Sequence, residues 1–203
     1  MYLTFDTETT GLPKNYSAPI SETDNWPRMV QIAWQINDKS GNLISSESHI
    51  IKPKGYTIPF NAEKIHGIST QKAIDKGKEI KYVLEKFNNE LKKNKYIIGH
   101  NINFDVNILG SEFYRSKIKT SLLEKESIDT GLISKEFCQL EGGLGGKLKM
   151  PKLIELYNIL FESDFSDAHD ARADVNATAK CFFELMKRKV FETEESKLTD
   201  IKY

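Results

Sequence analysis

The sequence lacks an excess of charge of either sign. Its 203 residues include 29 lysines and arginines against 29 aspartates and glutamates, so the formal net charge is +0. A protein that coats nucleic acid indiscriminately needs a large positive field, and the balance excludes that class. It leaves open a partner that is engaged at one local site. Apolar residues make up 39% of the chain, which is enough for a buried core and speaks against wholesale disorder.

Cysteines and long apolar runs are also scarce. Cys138 and Cys181 are the only cysteines and neither belongs to a C-x-x-C pair, which argues against a disulfide framework and a cysteine-based zinc site. No segment approaches the ~20 apolar residues that a membrane-spanning helix needs. The first six residues have neither the basic region nor the apolar run of a secretory signal. We therefore expect a soluble cytoplasmic protein with no membrane partner.

The residues that are present predict an α/β domain. Segments 2–6, 29–36 and 43–52 predict strands, and the turn cluster Asp38–Asn42 predicts that the second and third pair antiparallel. Apolar residues recur at helical spacing in 80–91, while 96–99 and 127–130 predict two short strands. Further helices are predicted at 104–114, at 151–160 with Pro151 as the first residue, and at 171–189. We expect a mixed sheet with helices on its faces over residues 1–190, followed by a polar C-terminal tail at 191–203.

Two acidic residues stand at the end of the first predicted strand. Asp6 and Glu8 are two positions apart, so a strand places both side chains on one face. Adjacent carboxylates repel each other unless a cation neutralises them, and Mg²⁺ and Mn²⁺ prefer carboxylate oxygens. The alternative interpretation, a solvated strand end that leads into a glycine turn, stays open on this evidence.

A second motif, His100 to Asp105, follows an apolar strand and opens a helix. The exit from a central strand of an α/β sheet is a preferred position for functional residues. Asp105 also suits the first helical turn electrostatically without any further role. For His100 we favour the interpretation that it is a hydrogen-bonded core histidine.

The third motif, H-x-x-x-x-D, leads into the last predicted helix. A loop histidine and an acid in the first helical turn, here His169 and Asp174, can present both groups to one site. On its own the spacing is weak evidence. The competing interpretation is that Asp170 caps the helix and His169 is an ordinary loop residue.

Together the three motifs are far more specific than any one of them. A strand-end D-x-E-x-T-G, then N-x-x-F-D, then H-x-x-x-x-D occur in this order, and the chain thereby resembles the DEDDh family of 3′→5′ exonucleases. Familiar members are the proofreading epsilon subunit of bacterial DNA polymerase III (DnaQ-like) and ribonuclease T. The resemblance extends over residues 2–186. It implies a ribonuclease H-like fold, a five-stranded mixed sheet with its first three strands antiparallel and helices on both faces.

The resemblance also assigns the site residues. It implies that Asp6, Glu8, Asp105 and Asp174 hold two divalent cations, Mg²⁺ or Mn²⁺, and that His169 is the general base. It further implies roles for Thr9 and His66 in binding substrate. Leu12 and Phe104 flank catalytic acids, and we expect them to make apolar contact with the terminal nucleotide; the alternative for Phe104 is the core end of a helix. Asn101 is a candidate for a hydrogen bond to substrate or to backbone.

The leading hypothesis is a metal-dependent 3′→5′ exonuclease that acts on single-stranded DNA or on frayed DNA 3′ ends, in proofreading or repair. The alternative is an exoribonuclease that trims RNA 3′ ends as ribonuclease T does. A non-catalytic accessory module of a polymerase is a third reading, which the intact set of five residues argues against. A proofreading role requires a polymerase subunit on a separate chain. Residues 13–27 form an insertion that we interpret as either a surface elaboration or a substrate-contacting lid.

Overall fold

A computed structural model describes residues 1–163, 165 and 170–194. Five strands and seven α-helices follow one another along this part of the chain. The strands are β1 Tyr2–Thr9, β2 Met29–Asn37, β3 Leu43–Ile50, β4 Tyr96–Gly99 and β5 Glu126–Asp129. The helices are α1 Phe60–His66, α2 Thr70–Lys76, α3 Ile80–Lys93, α4 Ile102–Ser116, α5 Thr130–Cys138, α6 Leu153–Phe161 and α7 Ala171–Lys187.

The strands form one mixed sheet in the order β3-β2-β1-β4-β5. β1 pairs antiparallel with β2 and parallel with β4, β2 pairs antiparallel with β3, and β4 pairs parallel with β5. The β2–β3 turn is closed by Asp38, whose Oδ1 accepts hydrogen bonds from the backbone N–H groups of Ser40 (2.8 Å) and Asn42 (2.9 Å). The predicted mixed sheet with three antiparallel strands at its start is confirmed.

Helices cover both faces of the sheet. Side chains alternate along β1, so the strand presents apolar residues to helices on each face. Leu3 and Phe5 point to the face that α3 and α4 cover, where Phe87 and Leu109 join the core. Tyr2, with the opposite parity, packs against Phe182 of α7. The acids of β1 share the parity of Tyr2, so they lie on the α7 face.

The structure differs from the sequence-based expectations in the shortest helices. α1, α2 and α5 were not predicted, and with nine residues or fewer they are too short to show a clear apolar period. The prediction that Pro151 opens a helix is wrong. The helix begins at Leu153 after Lys152, whose backbone N–H donates to Glu155 (2.8 Å) in a capping interaction, and the Pro151 carbonyl instead accepts from His100.

The insertion at 13–27 is packed against the core. Trp26 is almost fully buried and joins the cluster beneath α4, and its indole N–H donates to the Pro19 carbonyl (3.1 Å). The Arg115 guanidinium of α4 donates to the carbonyls of Thr23 and Trp26. The insertion is therefore tied to α4 near its C-terminal end, at Thr23 and Trp26.

The described part of the predicted tail, residues 191–194, packs against the start of β1. Thr193 is buried and its hydroxyl lies 2.9 Å from the Tyr2 hydroxyl. Glu194 pairs with Lys95 just before β4 (3.1 Å). Residues 195–203 lie outside the described part of the chain. In the ranges that the structure covers, every helix is too short or too polar to cross a bilayer.

Candidate active site

Three carboxylates converge where β1 meets the first turn of α7. Asp6 and Glu8 lie opposite Ala33 and Gln31 of β2, and so share one face as the strand period predicts. Asp174 joins them from α7. One carboxylate oxygen from each of Asp6, Glu8 and Asp174 lies within 4.8 Å of the other two. Oxygen donors at this spacing suit a hard divalent cation.

The start of α7 is fixed by its own cap. The Asp170 carboxylate accepts from the backbone N–H of Arg172 (2.8 Å), so the capping role considered for Asp170 is seen. Because the helix begins at Ala171, Asp174 falls in its first turn and faces the sheet. His169, the predicted general base, lies outside the described residues.

Asp105 stands next to these acids in the first turn of α4. It is almost fully buried (3% exposed) and accepts hydrogen bonds from the Thr7 backbone N–H (3.0 Å) and the Thr7 hydroxyl (2.5 Å). Burial raises the pKa of Asp105 to about 7, although the bonds from Thr7 act in the opposite direction. Thr7 thus binds Asp105 to the strand that carries the other two acids.

The negative charges of these carboxylates repel one another. Burial, and then the neighbouring Asp105, Asp174 and Glu8, raise the pKa of Asp6 well above its usual range. Burial and the charges of Asp174 and Asp105 raise the pKa of Glu8 to about 8. Without a cation the fold therefore favours the protonated forms of Asp6 and Glu8. A donor set of closely spaced oxygens that are costly to ionise is what Mg²⁺ or Mn²⁺ would stabilise.

A cavity of about 460 Å³ opens beside Glu8, beyond the end of β1. Four of the five predicted substrate-binding residues line it, namely Thr9, Leu12, His66 and Phe104. The Leu12 side chain is 73% exposed, so it offers apolar surface to a ligand. The Thr9 hydroxyl donates to the Gly11 carbonyl (2.6 Å), and this bond shapes the turn that presents Leu12.

The histidine of this cavity is held in a neutral form. His66 is mostly buried, and burial lowers its pKa. Its Nδ1 accepts from the backbone N–H of Ile68 (3.1 Å), which leaves Nε2 as the protonated nitrogen of the neutral ring. The Nε2 atom is itself shielded from solvent, and a hydrogen bond with the Thr9 backbone acts against the lowering of the His66 pKa.

Asn101 is not brought to the cavity. It is exposed and takes a left-handed backbone conformation (φ 61°) before α4, where its N–H donates to Asp129 (3.0 Å). The neighbouring His100 is the core histidine that the sequence predicted: Nδ1 lies 2.9 Å from the Thr130 hydroxyl, and Nε2 donates to the Pro151 carbonyl (2.8 Å).

A buried ion network that the sequence analysis missed supports the turn at Thr9–Leu12. Glu112 of α4 is fully buried (0% exposed) and accepts from Arg28 Nε (2.8 Å) and from the Met29 N–H (3.1 Å). It also pairs with Arg115 (3.0 Å). The Arg28 backbone in turn exchanges two hydrogen bonds with Thr10, one to the hydroxyl (3.0 Å) and one from the N–H (2.9 Å). The only signal in the sequence is an acid on the apolar face of a helix, between Leu109 and Phe113.

Comparison with solved structures shows the same fold. Exonuclease I, in a structure that suggests how processivity is achieved, has a TM-score of 0.74 and 23% identity over 93% of this chain and 42% of its own. Escherichia coli exonuclease I in complex with a dT13 oligonucleotide has a TM-score of 0.73 and 23% identity, over 98% of this chain and 42% of its own. The zinc-bound form of the E. coli exonuclease I–ssDNA complex has a TM-score of 0.70 and 22% identity, over 93% of this chain and 40% of its own. The chain therefore spans about two fifths of the length of these proteins.

The sequence matches no curated protein. It does match a family model, RNase_T, described as exonuclease, over residues 3–182. That range includes β1 with its two acids, the Asp105 turn and the start of α7. The fold is of the ribonuclease H-like type, as the resemblance implied. The chain belongs to the exonuclease family, in its DEDDh group of 3′→5′ exonucleases.

Proposed function

We propose that the protein is a metal-dependent exonuclease that hydrolyses phosphodiester bonds from the 3′ end of single-stranded DNA or of frayed DNA ends. The observation that carries the proposal is the convergence of Asp6, Glu8 and Asp174 beside a cavity of about 460 Å³. Family membership and the fold shared with exonuclease I, which has been solved with DNA oligonucleotides, support it.

The acids would hold the metal. Asp6, Glu8 and Asp174 fit a divalent cation by donor type and spacing, and we assign Asp105 to the same set for two Mg²⁺ or Mn²⁺ ions. When bound, the ions supply Lewis-acid stabilisation of the charge that develops on the phosphate and on the leaving oxygen. The raised pKa values of Asp6 and Glu8 support this assignment, because a cation relieves the repulsion that raises them.

The cavity would receive the terminal nucleotide. Leu12 and Phe104 provide apolar contact surface for the base or sugar, and His66, which lines the same cavity, adds contact surface beside them. Such contacts do not distinguish one base from another, as expected for an enzyme that removes 3′-terminal nucleotides whatever the sequence of the strand. Asn101 lies away from this cavity, and we assign it a backbone role.

We assign the general base to His169, which the H-x-x-x-x-D spacing supports. Its neighbour in sequence, Asp170, lies near enough to Glu8 for its charge to raise the Glu8 pKa. An imidazole with an ordinary pKa of about 6.5 is suited to accept a proton from the attacking water near neutral pH. We further propose a cytoplasmic role in repair, or in proofreading for a polymerase on a separate chain.

The test uses 3′- and 5′-labelled single-stranded DNA, duplex DNA and RNA with Mg²⁺, Mn²⁺ or EDTA. We expect mononucleotides to be released from the 3′ end of single-stranded DNA, and EDTA and Asp6→Asn to reduce the rate at least 100-fold. Glu141→Gln, an exposed acid away from the site, is the matched control. His169→Ala should lose most of the rate and keep metal binding.

Three results would contradict the proposal. Internal cleavage would indicate an endonuclease, and release that persists in EDTA would exclude metal dependence. Faster release from RNA than from DNA of the same sequence would favour the exoribonuclease alternative.

A further inference from the structure

A second and larger cavity, of about 720 Å³, lies between α7 and the β2–β3 hairpin. Gln35 and Asn37 of β2, both buried, line it on the sheet side. The α7 side is formed by a row at helical spacing that consists of Asn176, Lys180, Phe183 and Lys187. Since α7 covers the face of the sheet that carries Asp6, this cavity and the acids lie on the same face.

The acids lie between the two cavities along β1. Asp6 is opposite Ala33, while Tyr2 is opposite Asn37 of the larger cavity. Asp6 and Tyr2 are four positions apart along β1, a distance of about 13 Å at ~3.3 Å per residue. The smaller cavity begins at the other end of β1, from Thr7 to Leu12.

The larger cavity is electropositive in a chain that has no net charge. Four lysines line it against two glutamates: Lys39, Lys180, Lys187 and Lys189, with Glu184 and Glu192. Lys187 pairs with Glu184 (3.4 Å). Within the part of the chain that the structure describes, Lys180 and Lys189 form no ion pair. Both lysines thus line the cavity without an ion pair to a described residue, and lysines outnumber glutamates there by four to two.

Apolar surface accompanies these lysines. Phe183 is half-buried and its ring lies against Gly41, where an added Cβ would come within 3.1 Å of the Phe183 Cγ. Leu43 at the start of β3 is 59% exposed and also lines the cavity. Positive charge beside aromatic and apolar surface is the combination that binds single-stranded nucleic acid without sequence preference.

We propose that this cavity, which we call the distal groove, binds the phosphodiester backbone of the nucleotides upstream of the 3′ end. The proposal rests on the proposed function. With the terminal nucleotide in the smaller cavity and the scissile phosphate at the acids, the rest of the strand leaves on the opposite side, where the distal groove lies. The groove thereby provides affinity that depends on the length of the strand.

The test compares Lys180→Ala/Lys189→Ala with the wild type on dT3 and dT12. The control is Lys81→Ala/Lys119→Ala, two exposed lysines of the α3 and α4 side. We expect KM for dT12 to rise about 3- to 10-fold in the groove variant, with little change for dT3 and in kcat. The slope of log(kcat/KM) against log[salt] should flatten by ~1.4, about 0.7 for each lysine that no longer neutralises a phosphate of the single strand.

A salt titration of dT12 binding by fluorescence anisotropy in EDTA makes the test independent of turnover. A groove variant that matches the control in both measurements overturns the proposal, and so does an equal loss on dT3 and dT12. Wild-type protein that releases no nucleotide instead contradicts the proposed function, and the anisotropy titration then still decides whether the groove binds the strand. Thermal melting of each variant confirms that it is folded.

Discussion

At the scale of single residues, Glu8 shows the cost of the acidic site to the metal-free fold. Its pKa is about 8 in the folded protein against an ordinary value of 4.5. Between pH 4.5 and about pH 8, Glu8 therefore keeps a proton in the folded state that it has lost in the unfolded chain. The contribution of Glu8 to stability is therefore fully present below pH 4.5 and is lost as the pH rises toward 8.

We therefore expect Glu8→Gln to stabilise the metal-free protein at pH 8, by a few degrees in melting temperature, and to have a smaller effect at pH 5. Calorimetry in EDTA at the two pH values measures the difference. An equal shift at both values would show that the change acts through packing or hydrogen bonding rather than through the charge.

At the scale of secondary-structure elements, the Glu112 network joins α4, the start of β2 and the insertion. Removing one member of a buried ion network leaves the others charged and without their partner, which costs about 3–5 kcal/mol. We expect Glu112→Ala to lower the free energy of unfolding by about this amount in urea titrations. The exposed Glu141→Ala should change it by less than about 0.5 kcal/mol, and a loss that small at Glu112 would refute a structural role for the network.

The sequence predicts those parts of the site that depend on local geometry and misses those that depend on long-range contacts. Asp6 and Glu8 share a face because a strand has a period of two, and this depends only on local geometry. Asp174 joins Asp6 and Glu8 because α7 begins at Ala171, which places Asp174 in its first turn. Glu112 meets Arg28 across a long stretch of chain, and no local pattern encodes such a pairing. The position of Asn101 outside the first cavity also could not be predicted, because it depends on a left-handed backbone conformation in which its N–H donates to Asp129.

At the scale of the whole molecule, metal binding should be visible as global stability. A ligand that binds the folded state alone stabilises it by RT ln(1 + [L]/Kd), about 2.7 kcal/mol at 100 times Kd. Mn²⁺ or Mg²⁺ should therefore raise the melting temperature of the wild type, and Asp174→Asn should remove most of this shift. Asp75→Asn, on the exposed face of α2, should keep it. An undiminished shift in Asp174→Asn would place the cation elsewhere.

The zero net charge of the chain conceals local groups of like charge. Mutually repelling acids occupy one end of the α7 face, and the lysines of the distal groove occupy the other. Acids therefore cluster near the start of α7 and lysines outnumber acids in the distal groove, although the totals for the chain cancel. This arrangement explains why composition alone gives no indication of an anionic partner.

The hydrogen bond between Tyr2 and Thr193 has a consequence for protein engineering. It places the beginning of β1 beside the segment that follows α7, about four strand residues away from Asp6. A circular permutant in which a short linker from Glu194 to Met1 replaces residues 195–203, with new ends in the exposed turn Asp38–Asn42, should therefore fold. The acids and the first cavity would keep every one of their supporting elements in such a permuted protein.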